Sequence, residues 1–182
     1  MEKKLSGRLI YSGKVLNLRV DEVELEDGKR ALREVVEHRG AVVIIPVLND
    51  EKIVMVRQYR YATGKELLEL PAGTMEEGEN PLLCAKRELL EETGYEANDL
   101  IYLLSCYSSP GFCDEKFHLF LAKDLRKREQ NLDSDEKIKV EIYSIEELKE
   151  RVKRGEMEDA KSIAGILYYI AFCHEGRTSP KV

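Results

Sequence analysis

The sequence predicts an α/β fold in which a mixed β-sheet lies between helices, preceded by a small antiparallel sheet. Three observations carry this. Residues Ala41-Val42-Val43-Ile44-Ile45-Pro46-Val47 form a continuous apolar run, the pattern of a strand buried on both faces. A helix with both ends written into the sequence occupies the middle of the chain, between Asn80 and Gly94. Strand-like stretches stand before and after it, and two helical stretches close the chain, which suits a sheet covered by helices. At 182 residues the chain holds one domain with a small appendage. We divide it into an N-terminal β subdomain at 1–40, a main domain at 41–176 and a loose tail at 177–182.

Taken in order, residues 8–38 read as strands. Val15–Val20 and Glu22–Leu25 partly alternate, Asp27-Gly28 is a hairpin turn signal, and Arg30–His38 is the return strand. This piece has few apolar residues for a core of its own, so it packs on the main domain or on a second subunit. After the apolar run, Asn49-Asp50 turns the chain into a strand over Lys52–Arg60, and Glu66–Leu70 leads to Pro71-Ala72-Gly73. Beyond the central helix, Leu100–Cys106, Lys116–Ala122 and Lys137–Tyr143 read as strands, with a turn at Ser108-Ser109-Pro110-Gly111-Phe112. Ser144 with Glu147 forms a capping box for a helix ended by Gly155. Asp159 caps a last helix through about Phe172, with Ile163, Ile166, Leu167 and Ile170 at helical spacing.

The central helix carries the chemistry. Asn80 suits the N-cap, Pro81 the first helical position, and Gly94 the left-handed position past the end. Leu82, Leu83, Ala85, Leu89 and Leu90 fall on one side, expected to face the core; Glu88, Glu91 and Glu92 fall on the other, with Cys84 in their arc and Arg87 at the border. Neighbouring acids on a helix repel, and an arbitrary acidic arc is usually only a solvated face. Here a glycine loop at Gly73, a further acid at Glu79 and an arginine able to orient it accompany the cluster. Clustered carboxylates suit a hard divalent ion such as Mg²⁺, which takes a few protein oxygens and keeps waters and phosphates.

This stretch resembles the signature of the Nudix hydrolases, G-x5-E-x7-R-E-U-x-E-E-x-G-U, where U is a bulky aliphatic residue. Gly73, Glu79, Arg87, Glu88, Leu89, Glu91, Glu92 and Gly94 match, and only Tyr95 departs from the aliphatic last position. The resemblance implies an α/β/α sandwich, two or three Mg²⁺ ions (with Mn²⁺ as an alternative) bridging the glutamates and a diphosphate, and water attack at phosphorus. It implies Glu88, Glu91, Glu92 and the Ala72 carbonyl as metal ligands, and Gly73, Glu79, Arg87 and Gly94 as their support. It also implies an N-terminal sheet that mediates a homodimer, as in the nucleoside-diphosphate-sugar branch.

Pro110 stands sixteen residues after Gly94, a spacing that marks the ADP-ribose pyrophosphatase subgroup, although Ser-Pro-Gly is ordinary turn chemistry anywhere. Arg33-Glu34 ahead of Gly40–Val43, Gln58-Tyr59-Arg60 and Glu69–Gly73 resemble stretches of the same enzymes. Arg33, Glu34, Arg57, Arg60, Pro110 and Gly111 are therefore the substrate-binding candidates, and ADP-ribose is the favoured substrate. GDP-mannose, NADH, a diadenosine polyphosphate and a non-catalytic ADP-ribose sensor stay open. The signature certifies no base for the attacking water. Glu136, in the acidic stretch Asp133-Ser134-Asp135-Glu136, is the first candidate and Glu115 the second.

Composition limits the alternatives. A net charge of −6 and a pI near 5.3 argue against a nucleic-acid surface. Cys84, Cys106, Cys113 and Cys173 show no metal or disulfide spacing, and His38, His118 and His174 are scattered. The start MEKKLSGRL lacks the apolar region of a signal peptide, and no apolar run spans a membrane; the expectation is a cytoplasmic enzyme.

Overall fold

The computed structural model describes residues 1–49, 51–132 and 137–174. Asp50, the stretch Asp133–Glu136 with its candidate base, and the tail expected at 177–182 lie outside the described residues. The order of elements is β1 (Lys3–Ser12), β2 (Leu16–Glu24), β3 (Arg30–His38), β4 (Ala41–Leu48), β5 (Lys52–Arg60), β6 (Lys65–Glu69), β7 (Ala72–Thr74), α1 (Pro81–Thr93), β8 (Tyr95–Tyr107), β9 (Lys116–Lys127), β10 (Ile138–Ser144), α2 (Ile145–Lys153) and α3 (Ala160–Tyr168), with a π-helical turn at Tyr169–Cys173. The chain divides into two compact units. The first combines Met1–Gly40 with Cys106–Phe117; the second combines Ala41–Ser105 with the residues from His118 onward.

In the first unit, β1, β2 and β3 form an antiparallel sheet in that order. Gly28 takes φ 81° in the turn between β2 and β3, where its N–H donates to the Leu25 carbonyl at 2.9 Å. β1 begins at Lys3, earlier than the sequence suggested, because its first residues are polar on both faces and carry no alternation. The segment Cys106–Phe117 runs beside β3: the Val36 N–H donates to the Phe112 carbonyl at 2.8 Å, and the Asp114 N–H to the Val36 carbonyl at 3.1 Å.

The second unit is built on a mixed sheet in the order β10-β5-β4-β9-β8, with β6 on β5 and β7 on β4. Alternation along the strands assigns the two faces. Val42 and Ile44 of β4, with Phe120 and Ala122 of β9, pack with Cys84, Ala85 and Leu89 of α1. A Cβ on Gly165 of α3 would instead meet Leu70, Leu119 and Ile45. Successive side chains point to opposite faces, so α1 covers one side of the sheet and α3 the other: an α/β/α sandwich. Burial on both faces is why β4 reads as one unbroken apolar run.

β4 and β5 pair only at Val47–Leu48 with Ile53 and Lys52. Pro46 has no N–H to extend that ladder. Past it, β6 continues on β5 and β7 on β4, and the Ile44 N–H donates to the Pro71 carbonyl at 2.9 Å. The link from β6 to β7 therefore runs into the sheet, where it meets α1. β7 is only three residues of modest strand propensity, which is why it reads as loop in the sequence.

The caps of α1 are as expected. The Asn80 side chain accepts the Leu82 N–H at 2.9 Å, and Gly94 has φ 65° with its N–H on the Leu90 carbonyl. The facing of α1 needs correction. Its buried residues are Cys84, Ala85, Glu88, Leu89, Glu92 and Thr93, while Leu82 and Leu83 are 38% and 60% exposed. Small side chains at Cys84 and Ala85 let the helix approach the sheet, and two of the acids turn inward against the link that β7 provides.

Gly94 and Gly155 both hold positive φ, but only Gly94 is crowded: a Cβ there would lie 3.0 Å from the Arg128 carbonyl, whereas nothing lies within 4 Å of one on Gly155. Left-handed backbone alone costs about 1–2 kcal/mol in a non-glycine residue. Urea unfolding should show Gly94→Ala losing clearly more stability than Gly155→Ala. Equal losses would mean that the segment beside Gly94 yields freely.

Candidate active site

The centre of the site is the meeting of α1 with the Leu70–Gly73 link. A Cβ on Gly73 would fall inside the Glu88 carboxylate, so only glycine allows that side chain to lie there. The Ala72 N–H donates to Glu92 Oε2 at 2.9 Å. Glu88 and Glu92 are 9% and 3% exposed. Burying a carboxylate is costly unless it is hydrogen-bonded or paired, and the link and Arg87 meet that demand.

Arg87 is the hub. Its Nε and Nη2 bind the two oxygens of Glu79 at 3.2 and 3.1 Å, while Nη1 binds Glu88 at 2.6 Å and Glu91 at 3.0 Å. These partners hold the guanidinium more firmly in its charged form. Glu79 also accepts the Glu76 N–H at 2.9 Å. With the Arg87 hydrogen bonds as the main cause, its carboxyl is lowered to about 2. Cys84 lies fully buried beneath, and burial pushes its thiol up, as befits a packing residue.

The C-terminal end of α1 is strapped by the end of β9 and the residues that follow it. The Asn131 N–H donates to the Glu91 carbonyl at 3.2 Å, the Gln130 side chain to the Glu92 carbonyl, Lys127 Nζ to the Thr93 carbonyl at 3.2 Å and the Arg128 N–H to the Gly94 carbonyl at 2.7 Å. These satisfy carbonyls that a helix end leaves open. Asn131 and Ile138, the latter paired with Gln58 on β5, flank the stretch that holds Glu136.

The oxygen-only set of Glu88, Glu91 and Glu92 suits a hard divalent cation. Among the described residues no three His, Cys, Asp or Glu side chains already converge as an ion cage. Instead Glu88 and Glu91 share Arg87 Nη1, and Glu92 rests on the Ala72 N–H. Glu79, Glu88 and Glu91 thus gather around one guanidinium, and the cradle at Gly73 fixes the place of Glu88. Their oxygen donors are of the type a hard divalent ion takes, and Arg87 is the cation that Glu88 and Glu91 share.

Two of the three arginines proposed for substrate, Arg57 and Arg60, have carboxylate partners in the second unit. Arg57 binds Glu141 through Nε at 2.7 Å and Nη2 at 3.0 Å, and Arg60 binds Glu69 through Nε and Nη2, both at 2.7 Å. Glu69 is almost fully buried. Burial pushes its carboxyl up, but Arg60 and Lys161 outweigh this and the net is below the ordinary range. Neither Glu141 nor the Lys161 contact has a local sequence signal, since each partner lies more than eighty residues away.

In the first unit, a cavity of about 500 Å³ is lined by Arg33, Glu34, Pro110 and Gly111 together with Tyr107, Phe112, Cys113, Asp114, Val35 and Glu2. Four of the substrate-binding candidates thus share one wall. Arg33 is held by both oxygens of Glu2, at 2.9 and 2.5 Å. Glu115 lies in the same unit, 3.7 Å from His38 Nδ1.

A NUDIX domain matches residues 37–165, and a nucleoside diphosphate sugar hydrolase N-terminal domain matches residues 2–36. The chain belongs to the Nudix family. Among its relatives, the methanol dehydrogenase activator of Bacillus methanolicus and the ADP-ribose pyrophosphatase of Bacillus subtilis strain 168 are each 43% identical over 169 residues, covering 92% of this chain and 91% of the relative. A solved structure titled as an ADP compounds hydrolase superposes with a TM-score of 0.82 over 97% of both chains at 22% identity, which bears on the fold. The helix that carries the carboxylate cradle lies within the NUDIX match. Among the described residues no helix is long and apolar enough to cross a membrane.

The lowered Glu79 carboxyl makes the Glu79–Arg87 pair sensitive to acid with a definite sign. Its stabilisation is complete above the ordinary glutamate range, near pH 4.5, and is lost as pH falls toward 2. The melting temperature of wild type should therefore exceed that of Glu79→Gln at pH 6, with the gap closing between pH 4.5 and 2. A gap that stays constant over that range would show that the charge of Glu79 is not what stabilises.

Proposed function

We propose that the chain hydrolyses the diphosphate of ADP-ribose to AMP and ribose 5-phosphate with Mg²⁺, Mn²⁺ serving as an alternative. The observation that carries the substrate reading is the cavity that gathers Arg33, Glu34, Pro110 and Gly111, residues singled out from separate stretches of sequence. Its volume suits a nucleoside, and the Tyr107 and Phe112 rings offer apolar surface beside convergent polar groups. The name of the Bacillus subtilis relative agrees with it.

In this reading Glu88, Glu91 and Glu92 hold the metal, with the Ala72 carbonyl as a further ligand. When bound, the metal lowers the pKa of water and offsets charge at phosphorus. Gly73 admits Glu88 to its place, Gly94 closes the helix, and Glu79 fixes Arg87 against the loop. Arg60 engages Glu69 through Nε and Nη2, which leaves Nη1 for a phosphate oxygen. Arg57 is the second candidate for phosphate or ribose. Glu136 is assigned as the base that takes the proton from the attacking water, with Glu115 as the substitute candidate.

Hydrolysis of a panel of ADP-ribose, GDP-mannose, NADH and diadenosine polyphosphates tests the reading. ADP-ribose should be turned over fastest, Glu92→Gln should abolish turnover, and Glu136→Gln should lower kcat by about two to four orders of magnitude. Turnover of another member alone would overturn the substrate, and a loss below tenfold in Glu136→Gln would remove it as the base. ADP-ribose binding without turnover would favour a sensor.

We also assign a homodimer through the N-terminal sheet. All ten residues of β1 are exposed, Leu9, Ile10 and Tyr11 among them, and Leu32 on β3 is 67% exposed. So much uncovered apolar surface on a three-stranded sheet suits a partner. Sedimentation at micromolar concentration should give a dimer that the double substitution Leu9→Glu, Ile10→Glu dissociates. A monomeric wild type would overturn the assignment.

A further inference from the structure

The link that carries Ala72 and Gly73 is gripped from the sheet face opposite α1. The Leu70 N–H donates to Ser162 Oγ at 2.6 Å, a contact between two fully buried residues. Asp159 in turn accepts from both the Ser162 N–H, at 3.0 Å, and the Ser162 hydroxyl. One residue before Leu70, the buried Glu69 is held on one side by Arg60 of β5 and on the other by Lys161 of α3, and Lys161 also reaches Asp159 at 2.9 Å. Two residues after Leu70, the Ala72 N–H meets Glu92, and the next residue is the glycine against which Glu88 lies.

We propose that Asp159, Lys161 and Ser162, acting with Glu69, are positioning residues for the metal-binding carboxylates, and that they act through the Leu70–Gly73 link. The inference rests on the metal-dependent hydrolase reading of the same site. The link is a short piece of backbone between two strand segments, β6 ending at Glu69 and β7 starting at Ala72. On the α1 side it presents one N–H to Glu92 and a gap for Glu88, so the place of the backbone sets the place of both carboxylates. On the α3 side its place is set by one buried hydrogen bond and one buried carboxylate with two cations. A buried charge that loses a partner is strongly disfavoured, so loss of Lys161 draws Glu69 toward Arg60, its remaining cation. Any shift of Glu69 or Leu70 passes along the covalent link to Ala72. Misplacing catalytic groups by about 1 Å can cost on the order of a hundredfold in rate.

The test compares Lys161→Met, Lys161→Arg and Ser162→Ala with wild type by three measurements. These are thermal unfolding, direct Mn²⁺ binding by electron paramagnetic resonance without substrate, and ADP-ribose hydrolysis as a function of Mg²⁺. Lys161→Met and Ser162→Ala should weaken Mn²⁺ binding and raise the Mg²⁺ needed for half-activation by about fivefold or more. They should lower kcat about tenfold and leave KM for ADP-ribose within about twofold, with Lys161→Arg restoring most of the loss. Unchanged Mn²⁺ binding and an unchanged Mg²⁺ requirement in folded Lys161→Met and Ser162→Ala would overturn the inference. So would a kcat loss in Lys161→Met that Lys161→Arg does not restore. If wild type binds Mn²⁺ but does not hydrolyse ADP-ribose, weaker Mn²⁺ binding in the variants still supports the positioning role, and the substrate reading alone fails.

Discussion

Everything at the site depends on holding carboxylates against a strand backbone in the interior. Glu88 and Glu92 occupy positions one turn apart on the inner face of α1, where an ordinary helix would place leucines. Glycine at 73 removes the one side chain that would forbid it, and the neighbouring Ala72 N–H supplies the hydrogen bond that Glu92 needs. A charge taken out of water is tolerated only with good partners. The small residues Cys84 and Ala85, the strap from Lys127 to Asn131 and the anchoring of Leu70 can be understood as ways of keeping those partners in register.

The electrostatics follow from the same constraint. Arg87 serves Glu79, Glu88 and Glu91 at once, so it both fixes the glycine loop on the helix and offsets repulsion within the acidic arc. A net charge of −6 disfavours an anionic ligand, so positive charge has to be supplied locally, as Arg87 supplies it among these acids. Glu69 shows the opposite arrangement, one buried acid between two cations. Such a pairing fixes geometry and has no surplus charge to attract a metal.

Much of this was legible in the sequence because it is written locally. The caps of α1 and α2, the Gly28 turn and the apolar run of β4 each depend on neighbours within a few residues, and each appears as read. The facing of α1 was not legible. Leu82 and Leu83 look like core by periodicity, but the helix is oriented by an approach of backbone at Gly73 that no periodicity encodes. β7 and the first half of β1 escaped for a related reason: one is too short and the other too polar to carry a strand signal, and pairing alone makes them strands. Ser162, Lys161 and Glu141 escaped because their partners are distant in sequence, and a serine near a helix start reads as ordinary local chemistry.

The strap at the end of α1 bears on the order in which the molecule matures. The glutamates lie between residues 88 and 92, yet the groups that close their helix come from residues 127–131, and the grip on the link comes from residues 159–162. During synthesis, the signature helix is thus complete as a sequence well before anything can hold it in place. Contacts so far apart along the chain each close a loop, at a cost in conformational entropy. A nascent chain that has emerged only as far as β9 carries every residue of the signature with its acids not yet locked. The helix that carries the glutamates is therefore completed by groups that leave the ribosome after it.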